Sequence, residues 1–343
     1  MLAVVAEDVG RLELRQRPEP PQPGAGEVMI RPEAVGICGS DLHFIAGELS
    51  AQAGGGGYPR VLGHEVGARI VALGDGCRPE LRVGQRVALW PLEACGRCYP
   101  CRVGRDNACE RFSLIGVHRD GGLQELLVVP EGQVYPIRSD DPAVAALAEP
   151  LSIGVRAVNR AAVRAGERLV VLGAGPIGHS VCLVARERGA EVLLVDRQPS
   201  RLEGAEALGA STLRWRGCEP TVNAAREWAG ADGPPVVVDA TGAPEAVRAM
   251  VEMVATAGRA IQVGMSRAEV TFRLGLLTEK ELDLRGVSCC NGEEFAEAVA
   301  IAERNAASLQ RLVSHRFALA DGPDALRFAA EHPEQAMKVV IGG

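Results

Sequence analysis

The sequence predicts an α/β chain of two domains, a β-rich barrel followed by a doubly wound parallel sheet. Three observations carry this. The chain has 343 residues, more than one hydrophobic core usually organises. Its first third is a succession of short apolar alternations separated by glycine and proline. From Glu167 onward, buried-strand patterns alternate with helical ones, the texture of β-α-β units.

Glu27-Val-Met-Ile-Arg31 and Gly84-Gln-Arg-Val-Ala-Leu-Trp90 read as short strands between turns. Gly54 to Gly57, ahead of Tyr58-Pro59, reads as a flexible surface loop. Near Asp141 the pattern changes, because an acid able to cap a helix precedes Pro142, a residue suited to the first turn. Arg168–Leu172 is then a buried strand, Gly173–Gly178 a turn, Ile177–Arg188 a helix and Glu191–Asp196 the next strand. Pro235–Asp239 and Arg259–Gly264 add further strands. The tail after Gly286 mixes helix and strand signals and ends in Met337-Lys-Val-Val-Ile341. No internal repeat or low-complexity tract interrupts this order. The expected domains are 1–149 and 150–286, with 287–343 returning to the first.

Apolar residues make up 47% and charged residues 24%, an ordinary globular balance. A net charge of −7 argues against a nucleic-acid or acidic-membrane surface. Charges and turn residues recur too often for a transmembrane helix. The opening MLAVVAEDVGRLELR has early acids and no basic n-region, so no secretory signal is expected. Ten cysteines without a leader point to a reducing compartment, where clustered thiols hold metal rather than form disulfides. A cytoplasmic protein is expected. Basic residues are almost all arginine, with lysine only at Lys280 and Lys338.

Gly173-Ala-Gly175-Pro176-Ile177-Gly178 fits G-x-G-x-x-G between a strand and a helix. Glycine lets the backbone approach a pyrophosphate, whose charge then sits at the helix N-terminus. Taken alone, the motif is also what an unliganded tight turn looks like. Asp196 changes the balance, because it ends the following strand, where an acid binds both ribose hydroxyls. That acid repels a 2′-phosphate and favours NAD over NADP, whereas the adjacent Arg197 is able to accept one. Arg201 reads either as an adenosine neighbour or as a solvated helix residue.

Cys95, Cys98, Cys101 and Cys109 form C-x2-C-x2-C-x7-C around Gly96 and Gly104. Four thiolates are the composition of a closed, structural zinc site. A second cluster differs. Gly36-Ile-Cys38-Gly-Ser40-Asp41-Leu-His43 supplies thiol, hydroxyl, carboxylate and imidazole, and Gly63-His64-Glu65 follows after one loop. Glu149 sits in the apolar run Ala143–Ile153, where an unpaired carboxylate is costly to bury. Thiolate, imidazole and carboxylate leave a fourth position open, the pattern of a catalytic zinc.

Together, G-I-C-G-S-D-x-H, G-H-E-x-x-G, the four-cysteine lobe and G-A-G-P-I-G resemble the zinc-containing medium-chain alcohol dehydrogenases, in that family's order and over nearly the whole chain. The resemblance implies a GroES-like barrel as catalytic domain, divided in sequence by a Rossmann domain. It implies Cys38 and His64 as zinc ligands. Glu149 stands where many alcohol dehydrogenases have a second cysteine, as in sorbitol, threonine and sugar dehydrogenases. In that group the Glu after the His, here Glu65, also ligates, and the choice between Glu65 and Glu149 stays open. Ser40 is then the group that takes the hydroxyl proton, with His43 as relay. Hydride passes from the carbinol carbon to the nicotinamide. Asp41 reads equally as an acceptor orienting a ligand histidine or as a turn cap.

The same resemblance places Val263-Gly264-Met265 and Val287-Ser288 along the nicotinamide, with Thr241-Gly242 in a nearby loop. It implies two zinc ions, NAD, and a homodimer or homotetramer. The expected reaction is reversible, NAD-linked oxidation of a secondary alcohol on a small polyol, sugar acid or cyclitol. Polyol dehydrogenases carry Arg and Tyr where this chain reads Ser288-Cys289-Cys290-Asn291, a departure that counts against sorbitol itself. His118-Arg119-Asp120 reads either as a substrate contact or as a turn between strands. Cys77, Cys182, Cys218, Cys289 and Cys290 read as small core residues. Two other readings were open to this sequence pattern: a zinc-free quinone or enoyl reductase, and a non-catalytic cofactor-binding protein. The first lacks Cys38, His64 and the lobe; the second is expected to lose Ser40 or a zinc ligand.

Overall fold

The computed structural model describes residues 1–49, 57–266 and 268–342. Their contacts divide them into two compact units, residues 1–149 with 291 onward, and Pro150–Cys290.

The first unit is built on a mixed sheet whose strands, among the described residues, run Val134–Pro136, Arg86–Leu89, Glu65–Leu73, Glu27–Gly36, Lys338–Ile341 and Val313–Phe317. Leu127–Pro130 adds to Glu27–Gly36, and a smaller sheet joins Arg11–Gln16, Leu2–Asp8 and Arg60–Val61. The strands form because their apolar residues meet one core: Val28, Ile30, Val66, Ile70, Val87 and Leu89 are all buried in it. Glu27–Gly36 and Glu65–Leu73 pair antiparallel with two register shifts, which bend the pair.

Gly54–Gly56 of the expected loop lie outside the described residues. Tyr58, which follows them, is anchored: its hydroxyl donates to the Phe44 carbonyl, and the two rings meet edge to face at 4.9 Å.

The tail completes this sheet. Lys338–Ile341 pairs antiparallel with Glu27–Gly36 and parallel with Val313–Phe317. Asp141 caps the helix Pro142–Ala146 by accepting from the Ala143 amide at 2.9 Å. The Arg316 guanidinium grips the same carboxylate at 3.1 and 2.6 Å. Burial opposes that charge, but Arg316 and the Ala143 amide hold Asp141 below its usual carboxylate range.

The second unit is a six-stranded parallel sheet among the described residues. Its order is Ser211–Arg214, Glu191–Asp196, Arg168–Leu172, Val236–Asp239, Arg259–Gln262 and Asp283–Gly286. This is the doubly wound 3-2-1-4-5-6 order, with the reversal beside the first strand. Leu169–Leu172 and Val236–Asp239 are buried throughout, as expected of central strands covered on both faces. The unit runs on past Gly286 to Cys290, and the Val287 amide still donates to Gln262 O at 2.9 Å.

Candidate functional site

The first cluster begins at a helix start. Cys38 is the N-cap of Gly39–Ile45, and Asp41 reaches back to accept its amide at 2.9 Å. This puts Ser40, Asp41 and His43 on one short helix. Gly63, at φ +91°, turns the chain into Glu65–Leu73, and a Cβ there would stand 2.6 Å from Val35. His64 and Glu65 follow that turn. The ligand atoms of Cys38, His64 and Glu65 all lie within 4.8 Å of one another.

His64 and Glu65 are buried. His64 Nδ1 faces Asp41 at 3.6 Å and completes no hydrogen bond, while Nε2 lies 3.4 Å from Ser40 Oγ. Burial opposes an imidazolium there, but Asp41 and Cys38 outweigh it and hold His64 well above the ordinary imidazole range. Asp41 serves the capping reading, accepting the Gly63 amide at 3.3 Å besides that of Cys38, and faces the His64 ring without closing a hydrogen bond to it. His43 is half exposed, its Nδ1 at 2.5 Å from Glu48.

Lys338 closes the cluster from the tail strand. Its ammonium donates to both oxygens of Glu65 at 2.7 Å and to Ile37 O at 2.9 Å. Glu149 lies in the first turn of the helix Ala148–Ala161 and outside the 4.8 Å group. Burial pushes its carboxyl up to about 7; His64 and Lys338 pull down, while Glu65 and Asp41 push up. Three carboxylates and a thiol thus surround one ammonium and one imidazole. A divalent cation with mixed S, N and O ligands relieves this charge arrangement, and the donor set suits zinc.

In the second cluster the four sulfurs of Cys95, Cys98, Cys101 and Cys109 also lie within 4.8 Å of one another. Cys98 Sγ is 3.3 Å from Cys101 Sγ and 3.7 Å from Cys109 Sγ. Gly96 and Gly104, both at φ +70°, make the turns that fold the lobe back on itself. Amides of Arg97 and Cys98 bring the Cys95 thiol down to about 6, whereas burial and the neighbouring sulfurs push Cys101 to about 12. Four thiolates fill a tetrahedral shell and leave no position open, so the lobe fits a closed zinc site.

In the second unit, Gly175 caps the helix Pro176–Glu187, with Pro176 in its first turn. A Cβ on Gly178 would stand 1.8 Å from Gly173 O, and one on Gly173 2.6 Å from Thr241 Cγ2. Only glycine permits this packing. Asp196 joins the turn to the next segment, accepting from the Ala174 amide at 2.7 Å and the Gln198 amide at 2.8 Å. A cavity of about 350 Å³ is lined by Gly173, Gly175, Asp196, Arg197, Arg201 and Thr241. Its glycine-floored cradle fits a dinucleotide.

Thr241-Gly242 and Val263-Gly264-Met265 meet at the ends of neighbouring strands, where a Cβ on Gly242 would lie 2.1 Å from Met265 O. Buried Asp239 organises both loops, accepting from the Thr241 hydroxyl at 2.6 Å, the Gly242 amide at 2.8 Å and Gln262 Nε2 at 2.7 Å. Val287 and Ser288 follow the edge strand Asp283–Gly286. Trp215 also lines the cavity, a wall that its own neighbourhood in sequence does not announce. For Lys338 a signal exists: a lysine opens the otherwise apolar Lys338-Val-Val-Ile341 in a chain that almost always uses arginine.

His118-Arg119-Asp120 is tied into the barrel. Asp120 binds Arg17 at 2.7 Å and the Val61 amide at 3.0 Å, Arg119 binds Gln133 at 3.0 Å, and His118 accepts the Leu114 amide at 3.1 Å.

Two family models match the chain: "Alcohol dehydrogenase GroES-like domain" over residues 24–139 and "Zinc-binding dehydrogenase" over 176–304. The L-galactonate-5-dehydrogenase of Escherichia coli K12 is 35% identical over 93% of this chain and 92% of its own length. The D-xylulose reductase A of Aspergillus oryzae is 32% identical over 100% of this chain and 96% of its own. Among solved structures, an E. coli CFT073 alcohol dehydrogenase complexed with NADH superposes with TM-score 0.89 at 30% identity, covering 100% of this chain and 99% of that one. These similarities span both units and both candidate ligand clusters, and with them the chain belongs to the zinc-type medium-chain alcohol and sugar dehydrogenases.

Proposed function

We propose that this enzyme oxidises a secondary alcohol of a sugar acid or related polyol with NAD, using a zinc ion held by Cys38, His64 and Glu65. The observation that carries this is the convergence of those three ligand atoms within 4.8 Å, with Ser40 at 3.4 Å from His64. A zinc ion there supplies the Lewis acidity that makes a substrate hydroxyl proton removable. Ser40 accepts that proton. His43, on the same helix and half exposed beside Glu48, relays it to solvent. Glu149, whose carboxyl feels the charges of His64, Glu65 and Lys338, is the other candidate for the third ligand. The four-cysteine lobe holds the second, structural zinc.

The second unit holds the dinucleotide across its glycine turn, with Asp196 on the adenosine ribose. NAD is favoured over NADP because that carboxylate repels a 2′-phosphate. Thr241, Val263, Gly264, Met265, Val287 and Ser288 border the nicotinamide end. A sugar-acid substrate is supported by the similarity to an enzyme named for L-galactonate. The chain assembles as a homodimer or homotetramer, a reading supported by the edge strand Asp283–Gly286, which exposes Leu284. No helix among the described residues is long and apolar enough to cross a membrane. A lobe that needs four reduced thiols supports a cytoplasmic location.

The test is NADH production by the zinc-loaded enzyme over a panel of aldonates, polyols and cyclitols. Turnover with an aldonate that disappears on zinc removal and returns with zinc supports the proposal. Equal turnover of the metal-free enzyme contradicts it.

A further inference from the structure

The helix Pro176–Glu187 carries a histidine that the chemistry above does not use. His179 is completely buried at its first turn. Its Nδ1 lies 3.1 Å from Gly175 O, so Nδ1 carries the proton and donates it to the capping carbonyl of the glycine turn. Nε2 then presents a bare lone pair, and it is buried without a hydrogen-bond partner. It points at the next helix, Pro199–Ala207, where a Cβ on Gly204 would stand 3.0 Å from it. Gly204 therefore leaves the room that the ring occupies.

This contact joins two parts of the dinucleotide cavity. One side is the turn containing Gly173 and Gly175; the other is the helix that follows Asp196, Arg197 and Gln198 and carries Arg201. We propose that His179 is a positioning residue for the dinucleotide, its neutral ring wedging the glycine turn against the helix Pro199–Ala207. This rests on the dinucleotide reading given above. A protonated Nε2 has no acceptor at this place, and an unpaired buried cation is costly, so acid displaces the ring or the helix. Either movement spreads the adenosine side of the cavity.

The charged groups facing the ring are Asp196 from the strand Glu191–Asp196 and Arg201 from the helix Pro199–Ala207. Burial is the strongest influence and pushes the imidazole down; the carbonyls of Gly175 and Ala174 and the Asp196 carboxylate oppose it, and Arg201 adds to it. The sign follows. With a folded value below the unfolded 6.5, the neutral ring's contribution is complete above that pH and is lost as pH falls.

The experiment measures NAD affinity of the zinc-loaded enzyme by calorimetry at pH 8 and pH 5, for wild type, His179→Leu and His179→Asn. Asparagine keeps a donor for Gly175 O but does not titrate. Wild type is expected to bind NAD about tenfold more weakly at pH 5, the effect of one pKa unit between free and bound forms. His179→Leu loses affinity at pH 8. His179→Asn recovers most of that loss and is flat with pH. Thermal unfolding provides a second readout, with a steeper acid decline in wild type than in His179→Asn. A His179→Asn profile that parallels wild type in both measurements overturns the proposal while leaving the dinucleotide reading intact. A wild type that binds no NAD at pH 8 overturns both.

Discussion

Lys338 donates to both carboxylate oxygens of Glu65 at 2.7 Å, and both side chains are buried. The pair joins the last strand of the chain to the cluster that opens Glu65–Leu73. It sets the charge a metal meets there, because one ammonium offsets the carboxylate that groups with Cys38 and His64 within 4.8 Å.

Breaking this pair from one side leaves a buried charge alone. Lys338→Met should destabilise the protein by about 3 kcal/mol, the lower end for removing one member of a buried ion pair. Removing both charges together should cost less than the sum of the single changes. The check is a double-mutant cycle of Lys338→Met and Glu65→Gln by denaturant unfolding. Additive effects would show that the two groups do not depend on one another.

The two carboxylates near the metal separate by zinc content. Glu65→Ala should lose more of the zinc bound at this cluster, because it empties a ligand position within the 4.8 Å group. Glu149→Ala should keep most zinc and mainly slow turnover. The reverse order in metal analysis would make Glu149 the direct ligand.

Cys101→Ser should act on stability before chemistry, since a four-thiolate zinc contributes folding free energy. A fall in Tm of at least ~5 °C is expected, about the shift that 2 kcal/mol produces in domains of this size. Calorimetric scanning beside steady-state kinetics tests this. A variant with normal Tm and no activity would remove the structural role.

Much of this architecture is legible in local sequence. Gly173, Gly175 and Gly178 announce the turn because they fall within six residues of one another, and the cysteine spacing announces the lobe for the same reason. What sequence hides is pairing at a distance. Lys338 and Glu65 lie 273 residues apart, and only the return of the tail strand brings them together. Asp239 looks like an ordinary strand end until the fold shows four donors around its carboxylate. His118-Arg119-Asp120 reads equally as a substrate contact or a turn, and its partner Arg17, 103 residues away, is out of reach of local sequence. The choice between Glu65 and Glu149 is hidden likewise, because both lie in apolar sequence and differ only in their spatial neighbours.

Asp196→Ala should weaken NAD about tenfold or more, the loss of hydrogen bonds to a charged acceptor, with little effect on NADP. Parallel titrations of both cofactors measure the ratio. An unchanged preference would assign selectivity elsewhere, with Arg197 the next residue to test.

Cys38→Ala tests the catalytic metal most directly, through zinc per chain measured alongside turnover and NAD affinity on the same preparation. Wild type should hold about two zinc ions, one for each ligand cluster, and the variant about one. Its kcat should fall at least ~1,000-fold, the scale of several kcal/mol of lost Lewis-acid stabilisation. NAD affinity should change little, because the glycine turn and Asp196 belong to the other unit. A variant that holds one zinc fewer yet keeps wild-type kcat would contradict zinc-dependent oxidation at Cys38, His64 and Glu65.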